Sequence, residues 1–265
     1  MFIPIESLDD PRIAVYRDLP RSNLTRPSGL FVAEGWLLVE RLLASRFEIE
    51  SFFLDERFVD EIGPKLPSDK PVYLIPSTQV NDLLGFKFHR GVLACGRRAH
   101  LTRLADVSQP EPGSGLRVVI AAGINDPENM GCILRNSAAF GVDLIVASRN
   151  CADPFSRRVL RTSMGTVFNL TLLQPESDRF GDCLDELRNG WGVELCATVL
   201  DSTAEHLQRF TPPPRFALVF GNEGHGLELD VIGRCQRRLT IPMQRGTDSL
   251  NVGVASGIFL HHCCG

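Results

Sequence analysis

Three separated stretches in the C-terminal half of the chain share one pattern, and this pattern constrains the fold more than any other feature. Each stretch leaves an apolar run, passes through Gly, Pro or Asn, and enters a segment suited to a helix. Strand-to-helix turns of this kind lie at the carboxyl ends of strands in a parallel sheet, where open α/β folds place their ligands. We therefore expect one site built from three loops, at residues 125–135, 220–226 and 241–251.

The chain divides near residue 100, because residues 101–116 contain two Pro and two Gly and are typical of a linker. After it, strand-like runs alternate with helical ones in residues 117–265. This predicts an α/β domain whose mostly parallel sheet carries helices on both faces. Residues 1–100 predict a smaller α/β domain. The predicted strands are 30–33, 49–54, 72–75, 91–95, 117–122, 143–148, 167–173, 193–200, 215–220 and 238–242.

Composition places the chain among ordinary globular proteins, with 43% hydrophobic and 23% charged residues. No apolar run approaches the roughly 18–20 residues that span a bilayer, and the N-terminus lacks a signal peptide. Eight cysteines occur without a C-x-x-C pair, which favours buried reduced thiols in a cytoplasmic protein. The tail at residues 261–264 reads His-His-Cys-Cys, but an ordinary helix end explains it without a metal site. We therefore expect no metal and no membrane partner.

The positive charge is carried almost entirely by arginine, since only three of the 28 basic residues are lysine. A net charge of −4 argues against nonspecific polyanion or DNA binding driven by the overall field. Arginine suits phosphate and stacks on bases, although a GC-rich genome would produce the same bias. Clustering favours RNA. The clusters are Arg12, Arg17, Arg21 and Arg26; Arg97, Arg98 and Arg103; Arg157, Arg158 and Arg161; and Arg234, Arg237, Arg238 and Arg245.

The common nucleotide-binding motifs do not fit. Residues 221–226 have the spacing G-x-x-G-x-G, whereas the dinucleotide fingerprint is G-x-G-x-x-G. The chain has no P-loop and no H-E-x-x-H sequence, so a kinase, an ATPase or a standard dehydrogenase is unsupported. A Rossmann-type small-molecule methyltransferase is disfavoured, because its Gly-rich loop should follow the first strand of the domain.

The three loops together resemble the motifs of the SpoU (TrmH-type) branch of the SPOUT RNA methyltransferases. The matching sequences are Asn129-x-Gly-x-x-x-Arg135, Gly221-Asn-Glu-Gly224, and Ile241-Pro-Met followed by Ser249-Leu-Asn251. Residues 153–165 resemble a further family segment, in which Arg157 stands where relatives often carry Pro. The sequences at 31–35 and 88–91 look like the family's appended substrate-binding domain.

The resemblance implies an enzyme that transfers a methyl group from S-adenosylmethionine to a ribose 2′-hydroxyl of transfer or ribosomal RNA, without a metal. It also implies a deep trefoil knot in the C-terminal domain, a homodimer, and RNA binding by residues 1–100. The implied active-site residues are Asn129, Arg135, Glu223, Ser249 and Asn251. The implied cofactor-binding residues are Gly221, Ile241, Met243 and Leu250.

Each of these polar residues also has a plainer interpretation. Arg135 is sometimes assigned as the base, but a guanidinium is effectively never deprotonated, so we expect it to hold an RNA phosphate; otherwise it is a helix-surface residue. Glu223 orients Asn129 or the ribose, or caps a helix. Ser249 and Asn251 equally suit a helix N-terminus. A noncatalytic RNA-binding protein that retains the fold is the alternative function, and loss of a motif residue would favour it.

Overall fold

The computed structural model describes residues 1–19, 28–98, 101–111 and 113–265. The chain folds as two compact units. Unit 1 comprises Met1–Ala99 and Phe155–Phe168, and unit 2 comprises His100–Pro154 and Asn169–Gly265. Within the described residues, no helix has the length and hydropathy needed to cross a membrane. Arg21 and Arg26, which belong to a predicted basic cluster, lie outside the described residues.

Twelve strands and eight α-helices make up the regular structure of these described residues. The strands are β1 (Phe2–Pro4), β2 (Leu30–Glu34), β3 (Glu48–Asp55), β4 (Val72–Ile75), β5 (Val92–Arg97), β6 (Leu116–Ala121), β7 (Leu144–Ala147), β8 (Leu172–Leu173), β9 (Glu194–Thr198), β10 (Glu205–His206), β11 (Arg215–Phe220) and β12 (Arg237–Thr240). The helices are α1 (Trp36–Leu43), α2 (Val59–Ile62), α3 (Ser77–Leu84), α4 (Pro127–Ala139), α5 (Arg157–Thr162), α6 (Phe180–Asn189), α7 (Leu229–Arg234) and α8 (Val252–Cys264).

Unit 1 contains a five-stranded mixed sheet in the order β1-β4-β3-β5-β2. Strands β1, β4 and β3 run parallel, and β5 pairs antiparallel with both β3 and β2. Gly35, with φ of 87°, turns the chain from β2 into α1, where Leu38 and Leu42 recur at i and i+4 and are both buried. The buried Tyr16 hydroxyl donates to the carbonyl of Ser51 at 2.9 Å, which satisfies it inside the core.

Residues 155–168 lie in the middle of the predicted C-terminal domain, yet they belong to unit 1. The rings of Phe155 and Phe168 lie 5.2 and 5.5 Å from that of Phe31, and the burial of these aromatic rings stabilises the segment in unit 1. Arg157 is the first residue of α5. Proline is favoured at that position, so a helix can begin there with either residue.

Unit 2 contains seven strands, all parallel, in the order β10-β12-β9-β11-β6-β7-β8. Side chains alternate across the sheet. On one face, Val118 and Ile120 of β6 pack in a buried cluster with Leu184 of α6. On the opposite face, the ring of Phe220 in β11 lies 5.9 Å from that of Phe259 in α8. The predicted α/β fold with a parallel sheet covered on both faces is confirmed.

Two predicted segments fold differently. Residues 167–173 form a 3₁₀ helix at Thr166–Asn169 and only then the two-residue strand β8, because Gly165 adopts a φ of 75° and Phe168 turns into the aromatic cluster of unit 1. In the predicted linker 101–116, Leu101 forms a parallel bridge with Leu173, and Leu104 is 2% exposed. Part of this segment is therefore packed core of unit 2.

Candidate active site

A chain of hydrogen-bonded side chains joins residues from all three predicted loops. The Nδ2 of Asn251 donates to the Oδ1 of Asn129 at 2.7 Å. The Nδ2 of Asn129 then donates to the Oε1 of Glu223 at 2.9 Å. Asn129 is 8% exposed, whereas Glu223 is exposed. Three of the five predicted active-site residues therefore meet in one cluster, although 94 and 122 residues of chain separate Asn129 from the other two.

The carboxylate of Glu223 fixes the direction of every hydrogen bond in this cluster. A carboxylate only accepts, so Asn129 must present its amide nitrogen to Glu223 and its amide oxygen to Asn251. Asn251 must then present its own nitrogen, which leaves its oxygen for the N-terminus of α8. There Oδ1 accepts from the backbone N–H groups of Gly253 at 2.9 Å and Val254 at 3.3 Å. Every N–H donor in the cluster therefore points toward Glu223. The series of hydrogen bonds begins at the N-terminus of α8, which is the positive end of the helix dipole.

Asn251 therefore caps α8 and binds Asn129 at once, so the cap and the predicted site role are compatible. Asn129 is placed by a second cap. The Oδ1 of Asp126 accepts from the backbone N–H groups of Glu128 at 2.8 Å and Asn129 at 2.9 Å, and Pro127 fills the first position of α4. Asn129 consequently lies in the first turn of α4 with its backbone fixed.

The loop after β11 is a tight turn that carries Glu223. The backbones of Asn222 and Gly226 exchange two hydrogen bonds, of 3.0 and 2.9 Å, and the Oδ1 of Asn222 accepts the N–H of Gly224. A Cβ at Gly221 would lie 2.5 Å from the carbonyl carbon of Gly226, so only glycine fits there. The resemblance implies that Gly221 binds the cofactor; in the structure the closest approach to Gly221 is by the loop's own backbone, at Gly226 and Leu227. The backbone N–H of His225 donates to the Oδ1 of Asn222 and belongs to the same turn.

Helix α4, which carries Asn129, and helix α8, which Asn251 caps, pack closely against each other. A Cβ at Gly253 would lie 2.8 Å from the Cβ of Cys132, so glycine at 253 lets α8 approach α4. The Nδ2 of Asn136 donates to the carbonyl of Gly253 at 2.9 Å and to the hydroxyl of Ser256 at 3.0 Å. This contact holds the two amides of the site in register. Asn136 has no sequence signal beyond its place in α4, so sequence reasoning missed it.

Arg135 and Ser249 are not part of the hydrogen-bonded cluster. Arg135 lies six residues after Asn129 on α4, which places it about 120° around the helix and about 9 Å along it. Its side chain is exposed and has no hydrogen bond or ion pair with any residue that the structure describes. Ser249 is exposed in the loop before α8 and likewise bonds no described residue. Both are therefore free to meet a ligand.

The predicted cofactor-binding residues lie in loops that follow β11 and β12. Gly221, Ile241, Met243 and Leu250 are all partly exposed. Strand β9 lies between β11 and β12 in the sheet, so its own loop emerges between theirs. That loop carries Leu200, a leucine that is 68% exposed. Sequence reasoning missed this residue, because Leu200 was placed at the end of the predicted strand 193–200, whereas the strand ends at Thr198.

The thiol of Cys151 ties two neighbouring loops of unit 2 together. It accepts the N–H of Ile124 at 3.3 Å and donates to the carbonyl of Ala121 at 3.3 Å. Burial raises the pKa of this thiol despite its hydrogen bonds, which favours the protonated form. All eight cysteines are free. Among the described residues, no group of three or more His, Cys, Asp or Glu side chains is arranged to hold a metal ion.

Comparisons with known proteins agree with this geometry. The model of the SpoU rRNA Methylase family matches residues 116–261. An uncharacterized tRNA/rRNA methyltransferase of Mycobacterium bovis is 37% identical over 261 residues, covering 94% of this chain and 87% of the relative. The 23S rRNA (guanosine(2553)-2′-O)-methyltransferase RlmP of Bacillus subtilis is 25% identical, covering 98% and 99%. The crystal structure of an rRNA methyltransferase from Sinorhizobium meliloti has the same fold, with a TM-score of 0.81, 23% identity, and coverage of 98% and 96%. The chain belongs to the SpoU rRNA methylase family.

Proposed function

We propose that this protein transfers a methyl group from S-adenosylmethionine to a ribose 2′-hydroxyl of structured RNA, either transfer or ribosomal RNA. The observation that carries this proposal is the Asn251–Asn129–Glu223 chain at the carboxyl edge of a parallel sheet in a SpoU fold. The similar Bacillus protein is named as a 2′-O-methyltransferase of 23S rRNA. The noncatalytic alternative is disfavoured, because none of the five active-site positions has been lost.

The residues of three neighbouring loops fit the cofactor. Main-chain groups near Gly221, Ile241 and Leu250 would hold its adenine and ribose, and the apolar side chains of Met243 and Leu200 would cover the rings. S-adenosylmethionine supplies a methyl group that is already activated by its sulfonium, so the protein's task is to position the attacking hydroxyl. The loops that would do so are supported by glycine and by helix caps, which favours a preformed site.

The side chains of the cluster divide this task. Glu223 would accept a hydrogen bond from the target ribose while Asn129 holds the carboxylate in place at 2.9 Å. The second hydrogens of the Asn129 and Asn251 amides remain available as donors toward a ligand. Arg135, exposed and unpaired among the described residues, would hold the RNA phosphate beside the attacked sugar and favour the developing alkoxide electrostatically. Ser249 would contact the same ribose from the loop before α8.

The role of Arg135 has a direct test. Arg135→Ala should abolish methyl transfer while leaving the affinity for S-adenosylmethionine nearly unchanged, and Arg135→Lys should rescue weakly because lysine lacks the planar fork. Arg209 is an exposed arginine of the same unit and provides the matched control, since Arg209→Ala should retain activity. Near-normal turnover by Arg135→Ala would make Arg135 an ordinary surface residue.

Three further properties of the family extend the proposal. The parallel sheet of unit 2 would carry the trefoil knot, and the eight free cysteines suit the cytoplasm.

A homodimer is supported by Val254 and Ile258, which are 55% and 40% exposed and stand at i and i+4 on α8. The double substitution Val254→Asp and Ile258→Asp should yield monomers by analytical ultracentrifugation. A dimer that persists would show that this face is not the contact.

The decisive experiment maps 2′-O-methylated nucleotides in RNA from a deletion strain and from wild type. One or more methylations should disappear on deletion and return with the wild-type gene but not with Asn129→Ala.

Calorimetry on the full chain in the presence of EDTA should show S-adenosylmethionine binding together with a raised melting temperature. Absence of binding, or binding that requires divalent ions, would overturn the proposal.

A further inference from the structure

A cavity of about 280 Å³ opens in unit 2 beside the Asn251–Asn129–Glu223 cluster, and none of the predicted site residues lines it. It lies beyond the carboxyl ends of β6 and β7, at the edge of the sheet that carries the active-site loops. The carbonyl of Gly123, which lines it, accepts from Asn222, the neighbour of Glu223. Its walls include Gly123, Ser148, Arg149, Asn150, Phe180 and Glu228.

The amide of Asn150 is oriented toward a ligand by its neighbours. The buried hydroxyl of Ser148 accepts the N–H of Gly123 at 2.9 Å, so its own hydrogen goes to the Oδ1 of Asn150. This leaves the Nδ2 of Asn150 as a donor group, and it has no acceptor among the described residues. Asn150 itself is exposed. Two N–H donors are thus held at the cavity wall at a fixed orientation.

Opposite charges stand at the same cavity. Arg149 donates to Glu176 through a terminal nitrogen, and its buried Nε has no hydrogen-bond partner within the described chain. Glu228 is the N-cap residue of α7, but its side chain caps no backbone N–H, and it is exposed. An uncommitted carboxylate of this kind accepts two hydrogen bonds side by side. The side chain of Phe180 adds an apolar surface to the cavity lining.

We infer that this cavity binds a guanine base of the RNA substrate. Guanine carries two adjacent donors, N1–H and the N2 amino group, which match the two oxygens of Glu228. It also carries the acceptors O6 and N7, which match donors such as those of Asn150 and Arg149. Phe180 offers a stacking surface, and the volume lies near the lower end of the roughly 300–1,000 Å³ of ligand pockets, which suits one nucleoside. The inference rests on the proposed function, because that function makes RNA the source of the base.

The test uses the full-length protein with guanosine, inosine and adenosine monophosphates as probes, followed by amide resonances in NMR. GMP should shift the resonances of Gly123 and Asn150. IMP lacks the N2 amino group and should bind about tenfold more weakly, and AMP should bind more weakly still. Glu228→Gln should abolish the preference for GMP over IMP, whereas Glu186→Gln on α6, which does not line the cavity, should retain it.

Several outcomes would overturn the inference. Equal binding of the three nucleotides would do so, as would an unchanged preference in Glu228→Gln. Competition between GMP and S-adenosylmethionine would assign the cavity to the cofactor. GMP should inhibit methylation by raising the KM for RNA; a change in kcat alone would identify a free nucleotide effector instead. RNA methylation by a protein that shows no preference for GMP would overturn the inference about the cavity and leave the proposed function unaffected. Guanine binding by a protein that methylates no RNA would overturn the proposed function.

Discussion

Glutamate serves two different purposes in the two units. Glu34 of unit 1 and Glu223 of unit 2 lie at or just beyond the carboxyl ends of strands. Glu34 ends β2 and is 3% exposed, and three arginines surround it. The Nε of Arg157 lies 2.6 Å from its Oε2, and the Nε of Arg90 lies 3.4 Å from its Oε1, with Arg161 at 3.9 Å. Glu223 is exposed, and it accepts a hydrogen bond from the neutral amide of Asn129. The charge of Glu34 is balanced by its neighbours, whereas that of Glu223 remains available for a ligand.

Removing Glu34 should have the largest effect on stability. Glu34→Ala leaves Arg157 and its neighbours without a counter-charge, and we expect a loss of about 3 kcal/mol in the free energy of unfolding, the lower end for broken buried pairs because Arg90 and Arg161 are nearly half exposed. Urea unfolding monitored by circular dichroism measures it. Glu40→Ala, an exposed glutamate on α1, is the control. A loss below about 0.5 kcal/mol, the usual effect of a surface substitution, would contradict the structural role of Glu34.

Removing the charge of Glu223 should instead reduce methyl transfer and leave the stability nearly unchanged. Glu223→Gln allows the amide to turn and breaks the ordered donors, so we expect methyl transfer to fall about 100-fold, the scale of a misplaced reacting group. The free energy of unfolding should change by less than about 0.5 kcal/mol, because the side chain is exposed. Radiolabelled methyl transfer and urea unfolding on the same samples separate the two effects. An equal loss of stability and activity would refute the contrast with Glu34.

The sequence predicted the parallel sheet of unit 2 well, because alternating strand and helix patterns determine such a fold. It did not predict that Phe155 and Phe168 join unit 1, since tertiary aromatic packing overrides a local strand preference. The strand-to-helix pattern predicted that the three loops carrying Asn129, Glu223 and Asn251 form one site, whereas the choice of these three side chains followed from the family resemblance. The cavity had no sequence signal, because Asn150 and Glu228 belong to none of the motifs.

The arginines around Glu34 can be compared with a surface arginine of unit 2 that has its own carboxylate partner. Three guanidiniums share one carboxylate, so this part of unit 1 keeps an excess of positive charge that suits RNA phosphates. Arg161→Ala should reduce the slope of log affinity against log salt by roughly one unit in filter-binding titrations with an RNA substrate. Arg179→Ala is the control in unit 2, because Arg179 belongs to none of the arginine clusters and is 69% exposed but paired with Asp182 at 3.3 Å, and its slope should remain nearly that of wild type. Equal slopes for the two variants would show that Arg161 does not contact an RNA phosphate.

The smallest effect concerns Asp55 at the end of β3, a buried carboxylate that pairs with the half-exposed Arg57. Burial raises the pKa of this carboxyl, but hydrogen bonds from Arg57 and Ser77 outweigh it, so the pKa lies below its usual range. A depressed pKa means that the stabilisation is present above the unfolded pKa of about 3.9 and is lost as the pH falls through the folded pKa. Asp55→Asn should therefore cost about 1 kcal/mol at pH 7, since Arg57 is half exposed, and the difference from wild type should vanish in acid. Thermal unfolding between pH 7 and pH 2 measures this convergence. Curves that stay parallel would show that the carboxylate of Asp55, unlike that of Glu34, contributes nothing through its charge.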